Sequence, residues 1–269
     1  MSNVQVVKIG SGCVISDKKE YERVSRVCYE ITRMKYEEGI DTAMVISGAV
    51  RFGIWEEVQK GLRPAEDLVR KIRNVKELQC LARIGQTQLM TFYAECFGMG
   101  YERYIAKSGK RNNGVLITTQ VLATYHNLED EKEKSKTMEA ILADAIAAHT
   151  VPLYNYNDGI DSSEVRRDND KPAAEIAVAI NASRLIMLGA GVGGLEDANH
   201  DIIHFVSEIT QDIESLCKDP SAEGTGGAMA KLEAVKILRS SDKRIPMYWG
   251  HINDGLEGAL AGNGTIFHA

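Results

Sequence analysis

The chain has 269 residues, of which 44% are hydrophobic and 26% charged, and its formal net charge at pH 7 is −6. This composition is that of a globular protein whose core fills one large domain or two lobes. An acidic chain lacks the basic surface that non-specific nucleic-acid binding requires, so we expect no nucleic-acid partner. No segment approaches the roughly 18 uninterrupted apolar residues of a membrane span, so we expect no membrane partner either.

The N-terminus and the cysteines predict the compartment. The sequence MSNVQVVKIGSG leads directly into a strand pattern without the features of a signal peptide, which indicates the cytoplasm. The cysteines are odd in number, widely spaced and without a Cys-x2-Cys pair, which argues against a disulfide framework and a zinc knuckle. We predict reduced and mostly buried thiols at Cys13, Cys28, Cys80, Cys96 and Cys217.

Short β-branched runs alternate with helical patterns through most of the chain. This order predicts parallel strands joined by crossover helices, an α/β fold with a mainly parallel open sheet. Apolar side chains at helical spacing predict helices within residues 24–34 and 75–96. The predicted strands are Val4 to Lys8, Thr42 to Ser47, Val115 to Thr118, Val151 to Asn155 and Arg184 to Leu188.

Two polar segments interrupt this pattern. Asn169 to Pro172 predicts an N-cap followed by a proline in the first helical turn, and residues 173–182 then predict a buried helix. The positive end of that helix would face the preceding loop. Tyr101 to Gly114 is polar and basic, and we predict a solvated loop there.

Glycine and small polar residues follow every predicted strand. In open α/β sheets, ligands bind beyond the carboxyl ends of the strands. The recurrence of such residues at successive strand ends therefore predicts a ligand crevice. The residues at these ends are Lys8 to Gly12, Ser47 to Ala49, Thr118 and Thr119, Asn155 to Asp158, and Gly189 to Gly191.

A further glycine loop, Gly224 to Lys231, leads into a helix. Glycine lets the backbone approach a ligand, a helix N-terminus attracts anions, and Lys231 adds a full positive charge. The loop does not have the Walker A pattern. Alone, such a loop is more often a plain connection, but beside the other strand-end loops it predicts a phosphate site.

Phosphoryl transfer depends on positioning and on charge neutralisation more than on covalent chemistry. Lys8, at the end of an apolar strand, and Lys231 are the candidate cations, with a side chain that extends to solvent as the alternative for each. Asp158, Asp168 and Asp170 are the candidate carboxylates to hold these lysines or a magnesium ion. Each of the three could instead serve a turn or a helix cap.

His200 and His204 offer a weaker alternative, a metal hydrolase, because their spacing suits a shared metal on a helix. The residues around them, 201–205, alternate as in a strand instead. We therefore expect both to be ordinary surface residues.

Seven short motifs are spread in order along the whole chain. They are Val6 to Ser11, Val45 to Ala49, Ile84 to Gln86, Asn155 to Asp158, Asp168 to Asp170, Gly224 to Leu232, and Gly264 to Ala269. In this series the chain resembles the glutamate 5-kinase family of the amino-acid kinase superfamily. The resemblance implies a three-layer α/β/α sandwich in a single kinase domain over residues 1–269, with an acceptor lobe (1–183) and a nucleotide lobe (184–269). It also implies a short form without the RNA-modification-like C-terminal extension of many members.

The resemblance implies roles for residues by position. Lys8 and Lys231 would stabilise the transferred phosphoryl group, and Asp170 would orient both lysines. The acceptor-binding residues would be Ser47, Gly48, Ala49, Asn157 and Asp158. The nucleotide-binding residues would be Gly10, Ser11, Gly189, Ala190, Gly224, Thr225, Gly226 and Gly227.

The implied reaction uses ATP with Mg²⁺, and the metal would be carried by ATP rather than by direct protein ligands. The acceptor would be a small carboxylate, first the γ-carboxylate of L-glutamate, which attacks the γ-phosphorus to give an acyl phosphate in proline biosynthesis. No general base is needed, because a carboxylate is ionised at neutral pH. The resemblance also implies a homo-oligomer, a dimer or a tetramer.

The chain departs from the family pattern at the acceptor site. The family motif Asn-Ala-Arg-Asp-Thr supplies an aspartate, whereas this chain reads Glu133 to Thr137, with Lys136 at the aspartate position. A cation does not pair with the ammonium group of glutamate. Either the correspondence slips by some residues among the neighbouring carboxylates, or Lys136 binds a different acceptor, such as a phosphate or another amino acid.

The chain also departs from the family at the nucleotide site. The family has Thr-Asp after the fifth strand, where this chain has Gly189 and Ala190. The change predicts weaker ATP binding, altered base contacts, or a noncatalytic homologue that acts as a ligand sensor or oligomer partner. A third departure, the basic insertion near Lys110, could reach an anionic acceptor or be solvated surface.

Overall fold

The computed structural model describes residues 3–14, 18–68, 72, 74–111, 114–124, 126–160, 169–217 and 227–268. In these ranges one mixed sheet carries helices on both faces. Its strands are β1 Val4–Ile9, β2 Asp41–Val45, β3 Ile117–Ala123, β4 Thr150–Tyr156, β5 Leu185–Gly189, β6 Phe205–Val206, β7 Met247–His251 and β8 Thr265–Phe267. The helices are α1 Lys18–Glu38, α2 Ala49–Gln59, α3 Val75–Ser108, α4 His126–Glu129, α5 Glu131–Ile146, α6 Asp170–Ala179, α7 Gln211–Cys217, α8 Ala228–Ser240 and α9 Gly255–Leu260.

The strand order places β1 near the centre of the sheet. Across the described residues the order is β3-β4-β2-β1-β5-β7-β8-β6, and the β7–β8 pair is antiparallel whereas the others are parallel. The chain passes from β1 to β2 on one side, and β5 pairs with β1 on the other. Connections that leave a strand in opposite directions open a crevice at its carboxyl end, which is where ligands bind in such sheets.

Alternation along β1 explains the two helical layers. Successive strand side chains point to opposite faces. Val4 and Val6 belong to a core that includes buried residues of α5, α6 and α8, whereas Val7 and Ile9 belong to a core that includes residues of α1, α2, α3 and α9. The predicted three-layer α/β/α sandwich with a mainly parallel open sheet is confirmed.

The predicted strands are confirmed with shifted boundaries, and three further strands had escaped prediction. The second predicted strand ends early, at Val45, because the chain turns into α2 at Gly48, whose φ of 124° is a conformation that favours glycine. The third predicted strand begins at Ile117 and continues to Ala123. It lies at an edge of the sheet, and its polar, half-exposed side chains conceal the apolar pattern that predicts a strand. Two of the missed strands, β6 and β8, have only two and three residues.

The prediction of a loop over Tyr101 to Gly114 is wrong for its first part. Helix α3 continues to Ser108 and ends at Gly109, which has a left-handed φ of 71°. The cause is an aromatic stripe among the charged residues, because Tyr101 and Tyr104 are buried in a cluster with Tyr29 of α1. Helix α6 begins at Asp170, directly after the predicted N-cap Asn169, and ends at Ala179, three residues before the predicted end.

Glycines bring α2 and α3 into backbone contact. A Cβ atom on Gly85 would lie 1.9 Å from the Ala49 carbonyl oxygen, and one on Gly53 would lie 2.1 Å from the Leu81 carbonyl oxygen. Both distances are too short for any side chain. These contacts set the distance between α2 and α3. They therefore also set the position of Gln86, the residue after Gly85.

The helices can also be compared with the length of a bilayer span, and the thiols with the predicted reduced state. In the described part of the chain, no helix combines the length and the apolar character that a bilayer span requires. The five cysteines are free thiols, and Cys80 is exposed while the other four are buried.

We predict that Gly85→Ala lowers the free energy of unfolding by about 3 kcal/mol or more, because the added methyl group collides with the backbone of α2. The control is Gly98→Ala on the same helix, where a Cβ atom meets nothing within 4 Å. That substitution should raise stability by up to about 1 kcal/mol through helix propensity. Urea denaturation of both variants checks this, and equal effects would contradict the close-packing argument.

Candidate active site

A cavity of about 1010 Å³ lies at the carboxyl ends of β1 and β5. Its volume is at the upper end of the usual range for small-molecule sites. Its walls include the loop after β1, the loop after β5, the start of α8, and Trp249 of β7. The ligand crevice predicted from the strand-end residues is therefore present at these two strands.

A buried ion-pair network occupies one wall of this cavity. Asp170 Oδ1 forms an ion pair with Lys8 Nζ, and Asp170 Oδ2 lies 3.1 Å from Lys231 Nζ. Asp170 is fully buried, and the two lysines are only 7% and 9% exposed. Burial raises the pKa of Asp170, but the neighbouring Lys8 and Lys231 ammonium groups outweigh this and hold the pKa below its usual range. The carboxylate is therefore ionised at neutral pH.

Three elements supply this network. Lys8 is the penultimate residue of β1, Asp170 is the first residue of α6, and Lys231 lies in the first turn of α8. A carboxylate at a helix N-terminus is favourably placed in the helix dipole. The alternative prediction, that Lys8 and Lys231 extend to solvent, is wrong, because both are buried against the Asp170 carboxylate.

Trp249 completes the surroundings of Lys231. The Lys231 ammonium group lies 4.9 Å from the centroid of the indole ring, which is the geometry of a cation–π contact. Trp249 belongs to β7, a strand that the sequence pattern did not reveal. The Lys231 ammonium group thus contacts both the indole ring and the Asp170 carboxylate.

Asn169 precedes α6 as predicted, but its side chain does not cap the helix. Its Nδ2 donates instead to the Ile46 carbonyl oxygen at 2.5 Å and to Asn155 Oδ1 at 3.1 Å. Asn155 Nδ2 in turn donates to Gln86 Oε1 at 3.0 Å. This amide network joins α3, β4 and the end of β2 to the residue next to Asp170, and it thereby positions the carboxylate.

The predicted acceptor residues follow β2 and β4, whose ends are adjacent because the Ile46 N–H donates to the Tyr154 carbonyl oxygen. Ser47 lines the cavity described above. The other four, Gly48, Ala49, Asn157 and Asp158, lie outside its lining. Asp158 is the chemically distinctive member, since burial raises the pKa of its carboxyl group to about 7.

The predicted nucleotide residues gather at the cavity as far as the structure describes them. They are Gly10, Ser11, Gly189, Ala190 and Gly227, and all line its walls. Gly224, Thr225 and Gly226 lie outside the described residues, as does Asp168. Their roles stay predictions.

Lys136 is not brought to the cavity. It lies on α5 with an exposed side chain, and its Nζ is 2.7 Å from Glu133 Oε1. Asp130 caps the same helix by accepting from the backbone N–H groups of Lys132 and Glu133 at 3.1 and 3.0 Å. Lys136 and Asp130 thus have their partners within the helix itself.

The histidine pair does not form a metal site. His200 is exposed and lines the cavity, whereas His204 Nδ1 lies 2.9 Å from the Gly262 carbonyl oxygen. Among the residues that the structure describes, no three His, Cys, Asp or Glu side chains are grouped to hold a metal ion.

Sequence reasoning missed Arg51, which lines the cavity and donates from Nη1 to the Ser11 carbonyl oxygen at 2.8 Å. Burial lowers the pKa of this guanidinium, which nevertheless remains charged at neutral pH. A signal was present, because Arg51 follows Ser47 by four residues, about one helical turn. Helix α2 begins at Ala49, and its first turn brings Arg51 back to the side of the cavity.

Relatives with similar sequences cover the whole chain. Residues 3–248 match the model of the Amino acid kinase family. Glutamate 5-kinase from Clostridium perfringens is 30% identical, over 98% of this chain and 94% of that protein. Glutamate 5-kinase from Oenococcus oeni is 28% identical, over 97% and 94%. That from Rhizobium leguminosarum is 28% identical, and the match spans 57% of its length.

Solved structures share the fold at much lower identity. Carbamate kinase from Giardia lamblia bound to AMP-PNP matches with a TM-score of 0.63 and 12% identity, over 99% of this chain and 98% of that one. UMP kinase from Bacillus anthracis matches with a TM-score of 0.54 and 13% identity, over 99% and 96%. The resemblance seen in the ordered motifs is thus confirmed, and the chain belongs to the amino acid kinase family.

Proposed function

We propose that this chain is an ATP-dependent kinase that phosphorylates a small carboxylate, most specifically the γ-carboxylate of L-glutamate, to give glutamyl 5-phosphate in proline biosynthesis. The observation that carries the proposal is the buried network in which Lys8 and Lys231 share Asp170 at the wall of the cavity. The family match and the glutamate 5-kinase relatives support the ATP-dependent kinase class.

The network has the charge that phosphoryl transfer requires. Two ammonium groups bound to one carboxylate leave a net charge of about +1 facing the cavity, since the carboxylate neutralises only one of them. Asp170 also offsets the repulsion between the lysines and fixes both before a substrate arrives. Negative charge on the transferred phosphoryl oxygens is stabilised most by cations that are already in place.

The cavity walls suit a nucleotide triphosphate. The glycine-containing loops after β1 and β5 let the backbone approach phosphate oxygens, and Arg51 adds a cation beside Ser11. Mg²⁺ commonly binds through substrate phosphates with few protein ligands. Both Asp170 oxygens are engaged by lysines. The site therefore fits a metal ion that enters with ATP.

The acceptor side suits an amino acid. Asp158 lies at the turn after β4, and the burial of its carboxyl group disfavours the ionised form. An ammonium group placed beside it would offset that cost. Lys136, the residue that argued for an anionic acceptor, is paired with Glu133 on an exposed helix surface. Glutamate is thus favoured over a phosphate acceptor.

The second candidate function is a noncatalytic homologue that binds nucleotide without turnover. The observation in its favour is that Gly189 and Ala190 line the cavity where the family pattern has Thr-Asp. Calorimetry with ATP distinguishes it, because binding without ADP release would support the sensor. Self-association and the division into lobes at residues 183 and 184 stay predictions from the resemblance, and the cytoplasmic location stays a prediction from the N-terminal sequence.

We expect glutamate, ATP and Mg²⁺ to yield ADP and, with hydroxylamine as a trap, a hydroxamate. Lys231→Ala should lower kcat by at least about 100-fold, because a cation facing the phosphoryl group is lost. Lys236→Ala, on the exposed side of the same helix, is the control and should leave kcat unchanged. Turnover of another acceptor, carbamate or UMP, with none of glutamate would overturn the glutamate assignment.

Asp170→Asn should lower both activity and stability, because the two lysines lose their shared counter-charge. We expect kcat to fall by at least about 100-fold and the free energy of unfolding at neutral pH to fall by about 3–5 kcal/mol. The folded pKa of Asp170 lies below its unfolded value. Its stabilisation is therefore complete well above a pH of about 4 and is lost as the pH falls through the folded pKa.

Urea denaturation of the parent and Asp170→Asn chains at several pH values measures this difference. The stability gap should be constant at neutral and mildly acidic pH and should narrow below a pH of about 4. A gap that widens on acidification would contradict an ionised, lysine-bound Asp170.

The KM for glutamate should depend on pH through Asp158. Burial raises the pKa of its carboxyl group to about 7, so protonation below that pH removes the charge that would bind the substrate ammonium group. KM should then rise by up to about tenfold per pH unit below the pKa and be nearly constant above it. Asp158→Asn should have a high KM that is independent of pH. Steady-state kinetics at saturating Mg-ATP measure this, and a dependence that persists in Asp158→Asn would refute the role.

A further inference from the structure

A second cavity, of about 420 Å³, lies on the surface beside α1. It shares no lining residue with the cavity at β1 and β5. Helix α1 supplies most of its walls, the C-terminal part of α3 supplies Arg103, and the loop after β7 supplies Asn253. The α1 residues are Lys19, Glu22, Arg23 and Arg26. We call this cavity the basic pocket.

The basic pocket concentrates positive charge on an acidic protein. Its lining contains four cationic side chains and one carboxylate, a formal charge of +3, whereas the whole chain carries −6. Lys19, Arg23 and Arg26 are spaced four and three residues apart, which places them on one face of α1. Like charges at this spacing repel one another and destabilise a helix. A counter-ion in the pocket would remove that cost.

Over the described ranges, three of the four cations have no carboxylate partner, and the fourth, Arg26, has its Nε 3.9 Å from Glu30 Oε1. Within the described part of the chain, Lys19, Arg23 and Arg103 form no ion pair with a carboxylate. Arg103 instead lies 5.1 Å from the Tyr29 ring centroid, and Arg26 donates from Nη2 to the Ile252 carbonyl oxygen at 2.7 Å.

The ring contact orients Arg103 without neutralising it, and the carbonyl contact orients Arg26, whose charge Glu30 offsets in part. A stacked and a carbonyl-bound arginine are fixed in direction before a ligand arrives, which lowers the entropy cost of binding. The amide of Asn253 adds a neutral hydrogen-bonding group to the same wall.

We propose that the basic pocket is a binding site for a small phosphate-bearing anion, separate from the kinase site. Arginine side chains match phosphate oxygens with paired N–H donors, and the site has three of them with a lysine. Its volume holds a phosphate or diphosphate group with a small organic part. The inference rests on the geometry of α1 and α3 and holds whether or not the proposed kinase activity does.

The test uses inorganic pyrophosphate and a background in which the kinase site is weakened by Lys231→Ala. Calorimetry at constant ionic strength should show one binding site in that variant. Adding Arg23→Gln and Arg103→Gln should weaken this binding by at least about tenfold, because two charge-assisted hydrogen bonds to the anion are lost. Adding Arg111→Gln, an exposed arginine beyond the end of α3, should leave it unchanged.

Three results would overturn the proposal. They are no pyrophosphate binding in the Lys231→Ala chain, unchanged affinity after the Arg23→Gln and Arg103→Gln substitutions, and an equal loss with Arg111→Gln, which would indicate general charge screening. Circular dichroism on every variant confirms that the helices are retained, so that lost binding reports on the pocket and not on folding.

Discussion

The sharing of one buried carboxylate, Asp170, by two lysines is the constraint on which the rest of the structure depends. A charge in the interior is costly unless an opposite charge and hydrogen bonds compensate it, and removal of one partner leaves the others uncompensated. Lys8 comes from the central strand, Asp170 from the start of α6, and Lys231 from the start of α8. The three elements must therefore meet at one point. The sandwich fold provides that point at the carboxyl end of β1.

The helical layer that contains α2 and α3, on the other face of the sheet from α6, helps to hold Asp170 in position. Close contact at Gly85 sets α3 against α2, and the next residue, Gln86, accepts a hydrogen bond from Asn155. Asn155 accepts one from Asn169, the neighbour of Asp170. A chain of amides thus connects a helix–helix contact in one layer to the carboxylate at the start of a helix in the other. This explains why a short motif such as Ile84 to Gln86, which lies outside the lining of the cavity, belongs to the same series as the lysines.

The sequence reveals those parts of the site that depend on local pattern. Lys8 was predictable because a solvent-exposed lysine is unexpected at the end of a mainly apolar strand. The strand-end glycines were predictable because ligands bind there in open sheets. Asn169 was predicted at the correct position with the wrong role, since an amide before a helix caps it in most contexts and here donates across to the end of β2 and to β4.

Arg51 and Trp249 were missed because their roles arise from contacts between distant elements. The continuation of α3 was missed because charged residues surround the buried Tyr101 and Tyr104.

The charges beside the cavity suit a reaction between two anions, the acceptor carboxylate and the nucleotide phosphate. A substrate carboxylate and a nucleotide phosphate repel each other, and a site that joins them must supply positive charge between them. If Lys8 and Lys231 each had a carboxylate of its own, their charge would be fully neutralised; because they share Asp170, about one unit of positive charge remains on the cavity wall. Asp158 lies beyond the end of β4, outside that wall, where a carboxylate would bind the ammonium end of an amino acid. In the proposed reaction, Asp158 would bind the ammonium end of the acceptor, and Lys8 and Lys231 would face the carboxylate that reacts.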